Sequence, residues 1–261
     1  MKLFISTILY LFSFSVLSND NRMRINVIEY HNQPPFIINE ASKKGLSFDI
    51  VNALNAKSER FQYQLSVLPK KRAQLTIADW INGNCFKSTT CDENWIMLWT
   101  NPKWGWGKNA QENYLWLPLF SDYDAIVSLV DSNINFIDAN SLIGSSFGGL
   151  AGHRYAGIDE LAVSGQILRH DTNDEETLIL RVLKKRVDSI AMQKSTLTFY
   201  LMGRYAEDVK KLKISQQHYQ YFIASSMFPP NRVDLKDEIF QLTQEPEWQL
   251  LFDKYGLSPI F

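Results

Sequence analysis

The strictest alternation of apolar and polar positions in the chain is FQYQLSV (61–67), where Phe61, Tyr63, Leu65 and Val67 share one face and predict a half-buried β-strand. RINVIEY (24–30) predicts an earlier strand. It runs into HNQPPFIIN, where Pro34 and Pro35 force an extended turn at the strand's carboxyl end. Gly45 then precedes SFDIVNALNAKS, a helical pattern with Phe48, Val51 and Leu54 on one side and Asp49 in its first turn. Strand, helix, strand in that order opens an α/β domain with a parallel sheet.

Between Trp95 and Phe120 the periodicity fails. WIMLWTNPKWGWGKNAQENYLWLPLF holds Trp95, Trp99, Trp104, Trp106 and Trp116, five of the chain's seven tryptophans, and its prolines and glycines predict loops and short strands. Two readings of the tryptophans stay open, a core patch beneath a long loop and an aromatic wall on a cleft. Alternation then resumes. DAIVSLV (124–130), SSFGGLAG (145–152), QILRHD (166–171) and VDSIAM (187–192) are strand-like. DEETLILRVLKK is a helix with Asn173 as its cap and Glu176 three residues on, and TLTFYLMG is a helix closing at Gly203. These pieces predict a second α/β unit. Pro246 opens a last helix, PEWQLLFDKYG, with Trp248, Leu251 and Tyr255 on one stripe and Gly256 just past its end.

The first residues, MKLFISTILYLFSFSVLSND, change the picture of where the chain works. One Lys, an apolar run from Leu3 to Leu17 and the small-residue end Val16-Leu17-Ser18 have the form of a secretory signal peptide over residues 1–18. The run is too short and too often interrupted by Ser and Thr for a membrane anchor, and no cysteine follows it for lipid attachment. The expected mature chain is periplasmic, with no membrane insertion after cleavage. In an oxidising compartment Cys85 and Cys91, close together in GNCFKSTTCDE, read as a local disulfide; two cysteines without a nearby His make a poor metal site. The 261 residues carry a net charge of −1, which argues against a nucleic-acid partner. No catalytic triad order, phosphate-binding loop or zinc spacing stands out, so no metal and no cofactor are expected.

In their order and spacing, NQPPF (32–36), GLSFDIVNAL (45–54), FSDYDAIVSLV (120–130), GHRYAGID (152–159), NDEETLILRVLKKRVDSIAM (173–192) and EWQLLFDKYGL (247–257) resemble the family 3 extracellular solute-binding proteins, the periplasmic amino-acid-binding components of ABC transporters. The resemblance implies a two-lobed periplasmic-binding-protein fold of type II, two α/β lobes joined by two hinge crossings. Lobe 1 would take residues 24–125, lobe 2 residues 126–220, and residues 221–261 would return to lobe 1. It also implies a small-molecule solute in the cleft, hinge closure read by an ABC permease or a membrane sensor, a monomer, and no catalysis. The rival class is an enzyme on the same fold, such as a periplasmic dehydratase.

Two departures stand out. Members carry an Arg that pairs with the ligand α-carboxylate, yet the equivalent stretch here is TNPKWGWGKN and no arginine lies between Arg72 and Arg154. Members also carry an Asp for the α-ammonium, and the count from Asp188 places Gln193 there. Cleft candidates are therefore Gln33 and Phe36 on the first strand's exit turn, Arg72 in a basic patch with Lys70 and Lys71, Trp104 and Trp106 on a glycine-rich loop, and Gln193. GLAGHRYAGID (149–159) adds Gly152, His153 and Arg154. A helix expected to start near Tyr155 would present free N–H groups, and Arg154 a charged fork, to an anion. The expected solute is small, polar and carboxylate-bearing or otherwise anionic.

Overall fold

The structure is a computed structural model that describes residues 21–81 and 93–261. The leader and the Cys85/Cys91 pair therefore lie outside the described residues.

Among the described residues eight strands, β1 (Met23–Glu29), β2 (Phe61–Val67), β3 (Trp95–Thr100), β4 (Leu115–Leu129), β5 (Ser146–Leu150), β6 (Leu168–Thr172), β7 (Ser189–Gln193) and β8 (Leu212–Phe228), form one hydrogen-bonded sheet in the order β2-β1-β3-β8-β4-β7-β5-β6. The alternating segments behave as their patterns require. β1 (Met23–Glu29) and β2 (Phe61–Val67) pair in parallel from Met23 opposite Phe61 to Glu29 opposite Val67, joined by helix α1 (Leu46–Lys57). β5 (Ser146–Leu150), β6 (Leu168–Thr172) and β7 (Ser189–Gln193) repeat this parallel design, with α5 (Glu175–Leu183) between β6 and β7 and α6 (Lys194–Met202) after β7. α7 (Val233–Thr243) and α8 (Pro246–Asp253) complete the chain.

Where the sequence reading expects loops and short strands, the chain forms β3 (Trp95–Thr100), a short strand buried along its whole length. A strand covered on both faces has no polar side to alternate with, so WIMLWT shows no period. α2 (Lys70–Ile81), a short α3 (Ala110–Asn113) and the loop between β3 and α3 cover the face opposite α1, α7 and α8; Ala73 and Ile77, one turn apart, pack with Trp95 and Trp106. Asp174, not Asn173, caps α5, its carboxylate accepting from Thr177 N–H at 2.8 Å; Glu176 instead accepts from the Tyr205 hydroxyl at 2.8 Å.

The second half of the sheet joins the first through two unusually long strands. β4 (Leu115–Leu129, 15 residues) and β8 (Leu212–Phe228, 17 residues) run antiparallel beside each other, from Leu115 opposite Phe228 to Leu129 opposite Leu212. Each contributes one end to each core. Leu117, Leu119 and Phe120, with Phe222, Ala224 and Phe228, pack against α1, α7 and α8, whereas Ala125, Val127 and Leu212 pack against α5 and α6. Their pairing is irregular around Asp124, Ala125 and Val127, between the two cores. Trp248 and Phe252 of α8 are fully buried in the first core, so the C-terminal helices belong with β1–β3. The architecture is the two-lobed periplasmic-binding-protein fold, with β4 and β8 crossing between lobes.

Candidate solute-binding cleft

Strand carboxyl ends at a change of strand order are where open α/β sheets place ligands. In the first lobe that position belongs to Tyr30-His31-Asn32-Gln33, just past β1. Glu29, fully buried at the strand's end, accepts from His31 N–H and from Ser47 Oγ, both at 2.6 Å, and Ser47 Oγ accepts from Trp99 Nε1 at 2.8 Å. This closed network fixes the exit turn. Tyr30 and His31 lie ring to ring at 4.1 Å, His31 sits 6.1 Å from Trp104, and Trp104 meets Phe222 at 4.9 Å. The Lys70 ammonium stands 5.9 Å from the centroids of both Tyr30 and Trp104, and burial lowers its pKa. The first wall is thus aromatic, with one partly desolvated cation above it.

The second wall is built at the ends of β5, β6 and β7. Gln193 closes β7 and accepts from Gln33 Nε2 at 3.0 Å, joining two residues 160 positions apart, one in each lobe. In the sheet Gln193 stands opposite Asp124 of β4. Asp122, two residues earlier, is buried and accepts from Ser195 Oγ at 2.6 Å and from the N–H groups of Tyr123 and Ser195. The loop 151–157 is held by Arg169 of β6. Its guanidinium pairs with Asp159 and Asp171 and donates to the carbonyls of Leu150 (3.1 Å) and His153 (3.0 Å), while it packs 5.1 Å from the Tyr155 ring. Burial pushes the His153 pKa down, with the Lys70 and Arg169 charges adding to it, so this imidazole is neutral near pH 7.

The expected site residues separate into groups. Gln33 and Gln193 meet in a hydrogen bond, Trp104 stands near His31 close to Gln33, and His153 lies exposed on the loop after β5. Phe36, 1% exposed, packs on Trp99 and Phe120 in the first core, and Trp106, 2% exposed, lies behind Tyr30 with Ile28, Trp95 and Met227. Both rings are core. Arg72 and Lys70 are both exposed on α2, and of the two it is Lys70 whose ammonium stands over the Tyr30 and Trp104 rings.

The GLAGHRYAGID expectation needs correction. α4 spans only Ile158–Val163, and the Gly157 N–H at its start is taken by Glu160 Oε2 at 2.6 Å. Tyr155 is buried, with its hydroxyl accepting from Leu150 N–H and its own N–H donating to Asp159, so the helix starts three residues late. Arg154, 81% exposed, lies 3.4 Å from Glu160. Gly152 has φ +76°, and a Cβ there would meet nothing within 4 Å; its glycine answers to backbone conformation and not to crowding. Gly149 is the crowded one, with Tyr155, Asp171 and Arg169 atoms 2.9–3.1 Å from where its Cβ would stand.

Two residues were missed altogether. Asp124 and Glu175 sit on this wall without hydrogen bonds or ion pairs among the described residues, and burial, more than the neighbouring Asp122, lifts Asp124 to about 7. Glu175 rises to about 8, through burial first and then the charges of Asp124 and Asp174. Asp124 hides inside an apparent strand and Glu175 inside an ordinary acidic first helical turn.

No family model and no curated protein matches the chain. Solved structures do, over nearly its full length. The GluR0 ligand-binding core from Nostoc punctiforme, in complex with L-glutamate, is 18% identical with a TM-score of 0.62, covering 89% of this chain and 99% of that one. A structure from work on glutathione import via GshT and the cystine ABC importer TcyBC of Streptococcus mutans is 17% identical with a TM-score of 0.61, covering 91% and 96%. An arginine third transport system periplasmic binding protein from Legionella pneumophila is 15% identical with a TM-score of 0.58, covering 89% and 99%. Among the described residues no helix is long and apolar enough to cross a membrane. The chain has the fold of the periplasmic solute-binding proteins of ABC importers.

Proposed function

We propose that this protein is an exported solute-binding protein that captures a small polar, carboxylate-bearing solute between its lobes and passes it to an ABC permease. The observation that carries the reading is the Gln33–Gln193 hydrogen bond, a polar contact across the cleft beside an aromatic wall that carries the Lys70 ammonium. Lobe 1 is taken as residues 24–125 with 221–261 and lobe 2 as 126–220, so that the changeovers fall in β4 and β8. The solute carboxylate faces Lys70, whose ammonium lacks an acidic partner among the described residues and gains one on binding. The leader directs export and is removed near Ser18, and Cys85 and Cys91 form a disulfide in the mature chain.

Lobe closure over a ligand changes the surroundings of Trp104, which already touches His31 and Phe222. A thermal-shift screen of the purified mature protein against carboxylates, followed by tryptophan fluorescence titration, tests the reading. The expected result is a saturable fluorescence change that Trp104→Phe reduces and Lys70→Met weakens at least about tenfold in affinity. Carboxylate binding that Lys70→Met leaves unaltered would refute the assignment of the cation, and no stabilising compound in any class would refute the function.

A further inference from the structure

One row across the second lobe's sheet breaks the apolar pattern of its face. Ser128 of β4 stands directly opposite Lys213 of β8 on one side and Ser189 of β7 on the other. Residues paired in this way project from the same face, close enough for their side chains to interact. Two residues earlier on β4, Ile126 shares that face and packs with Phe136, Phe147 and Ala191. A Lys-Ser-Ser row there is polar where burial favours apolar side chains. It lies at the start of β7, four residues from Gln193, and so about 13 Å from the cleft at roughly 3.3 Å per residue.

The polar groups of this row find few partners inside the protein. Ser128 Oγ reaches only the Leu129 carbonyl, at 3.5 Å. Ser189 is fully buried, and its Oγ has no hydrogen-bond partner among the described residues. The enclosed Oγ of Ser132 has none either, although the Ser132 carbonyl accepts from Lys213 Nζ at 3.2 Å. Lys213 has no acidic partner among the described residues, since Asp131 in the same turn is held by Lys185 at 2.9 Å. Ser128 and Lys213 line a groove of about 530 Å³ whose apolar side is Ile126, Ile134 and Phe136. That volume falls within the range of small-molecule sites, roughly 300–1,000 Å³.

A cation without a counter-charge and hydroxyls without acceptors favour an anion. The apolar side favours a carbon chain or ring attached to it. A ligand oxygen that accepts from Ser128 leaves the Ser128 oxygen free to accept from Ser189, so one contact satisfies two buried hydroxyls. We propose that this groove is a binding site for a small amphiphilic acid. Its anionic group sits at Lys213 and Ser128, and its apolar part lies along Ile126, Ile134 and Phe136. The site is separate from the interlobe cleft and does not depend on the function assigned to that cleft.

The test is isothermal titration calorimetry on the full mature protein with two pairs of probes. These are octanoate against octanamide and 4-phenylbutyrate against 4-phenylbutyramide, with inorganic phosphate alongside. The expected result is that at least one acid binds about tenfold or more tightly than its amide. Lys213→Met should remove that advantage, whereas Lys70→Met, in the cleft, should leave it. Ser128→Ala should weaken the acid severalfold, and gives a second reading if Lys213→Met folds poorly. An advantage that survives both groove substitutions, or that only Lys70→Met removes, would overturn the site. So would equal binding of acid and amide, phosphate binding as tight as that of either acid, or no binding of any probe.

Discussion

Glu29 and Glu175 are both desolvated carboxylates at the edge of the same cleft, and the molecule treats them in opposite ways. Glu29 receives two hydrogen bonds of 2.6 Å, and its partner Ser47 is itself held by Trp99. Glu175 receives none among the described residues, and its Oε2 is closed off from water. A satisfied buried charge rigidifies what it touches, whereas an unsatisfied one lowers stability until something binds it. The end of β1 is therefore a finished piece of the structure and the start of α5 an unfinished one.

The sharpest test of that contrast is Glu29→Ala. It orphans the His31 N–H and the Ser47–Trp99 pair in the core, at an expected cost of about 3–5 kcal/mol in urea unfolding. Glu175→Gln removes a carboxylate that has no partner, and is expected to be neutral or stabilising at pH 8. If the two substitutions cost the same, the distinction between the walls collapses.

The pH dependence of the unliganded protein is the next largest effect. Asp124 and Glu175 titrate near 7 and 8 in the folded chain, because burial holds them there, against about 4 when unfolded. Between those values the folded state binds more protons than the unfolded state, so stability falls as pH rises. The expected loss from pH 5 to pH 8 is about 2–3 kcal/mol after discounting for relaxation, and Asp124→Asn with Glu175→Gln should flatten the slope. The difference between the two proteins cancels the other titrating groups nearby, Asp122, His153 and Lys194 among them. A slope unchanged by the substitutions would mean that neither carboxyl is desolvated in solution.

Short apolar segments between turn residues were legible in the sequence. β1, β2, β5, β6 and β7 overlap the segments read as strands, and α1, α6 and α8 lie where spacing and glycine stops placed them. β3 falls in a stretch read only as loops and short strands, and its bounds were not legible because burial along its whole length leaves no polar position to mark a period. β8 was not legible, because much of KISQQHYQYF is half wet as it crosses between lobes and reads as a polar loop. Gln33 and Gln193 were picked out by position, one on a strand exit and one by counting along a motif, and the fold brings their side chains to 3.0 Å from each other. Asp124 and Glu175 carry no such mark, since only the fold reveals that no cation reaches them. Arg169 was equally hidden, as one basic residue in QILRHD whose importance comes from Asp159, His153 and Leu150, 10, 16 and 19 positions away.

The smallest expected effect separates two arginines near one loop. Arg169 fixes the loop after β5 from beneath, while Arg154 extends from it toward solvent with one long contact to Glu160. Exposed ion pairs of that kind contribute little, because water screens both charges and two mobile side chains must be ordered. Arg154→Ala is therefore expected to leave the unfolding midpoint unchanged. A carboxylate probe held by Lys70 should lose no more than about threefold in affinity, mostly through slower association, since an exposed charge at a cleft mouth steers encounter more than it holds a ligand. Stopped-flow fluorescence on this variant beside Lys70→Met resolves the two contributions. A larger loss from Arg154→Ala than from Lys70→Met, carried by faster dissociation, would move the carboxylate to the second lobe and reverse the orientation assigned to the solute.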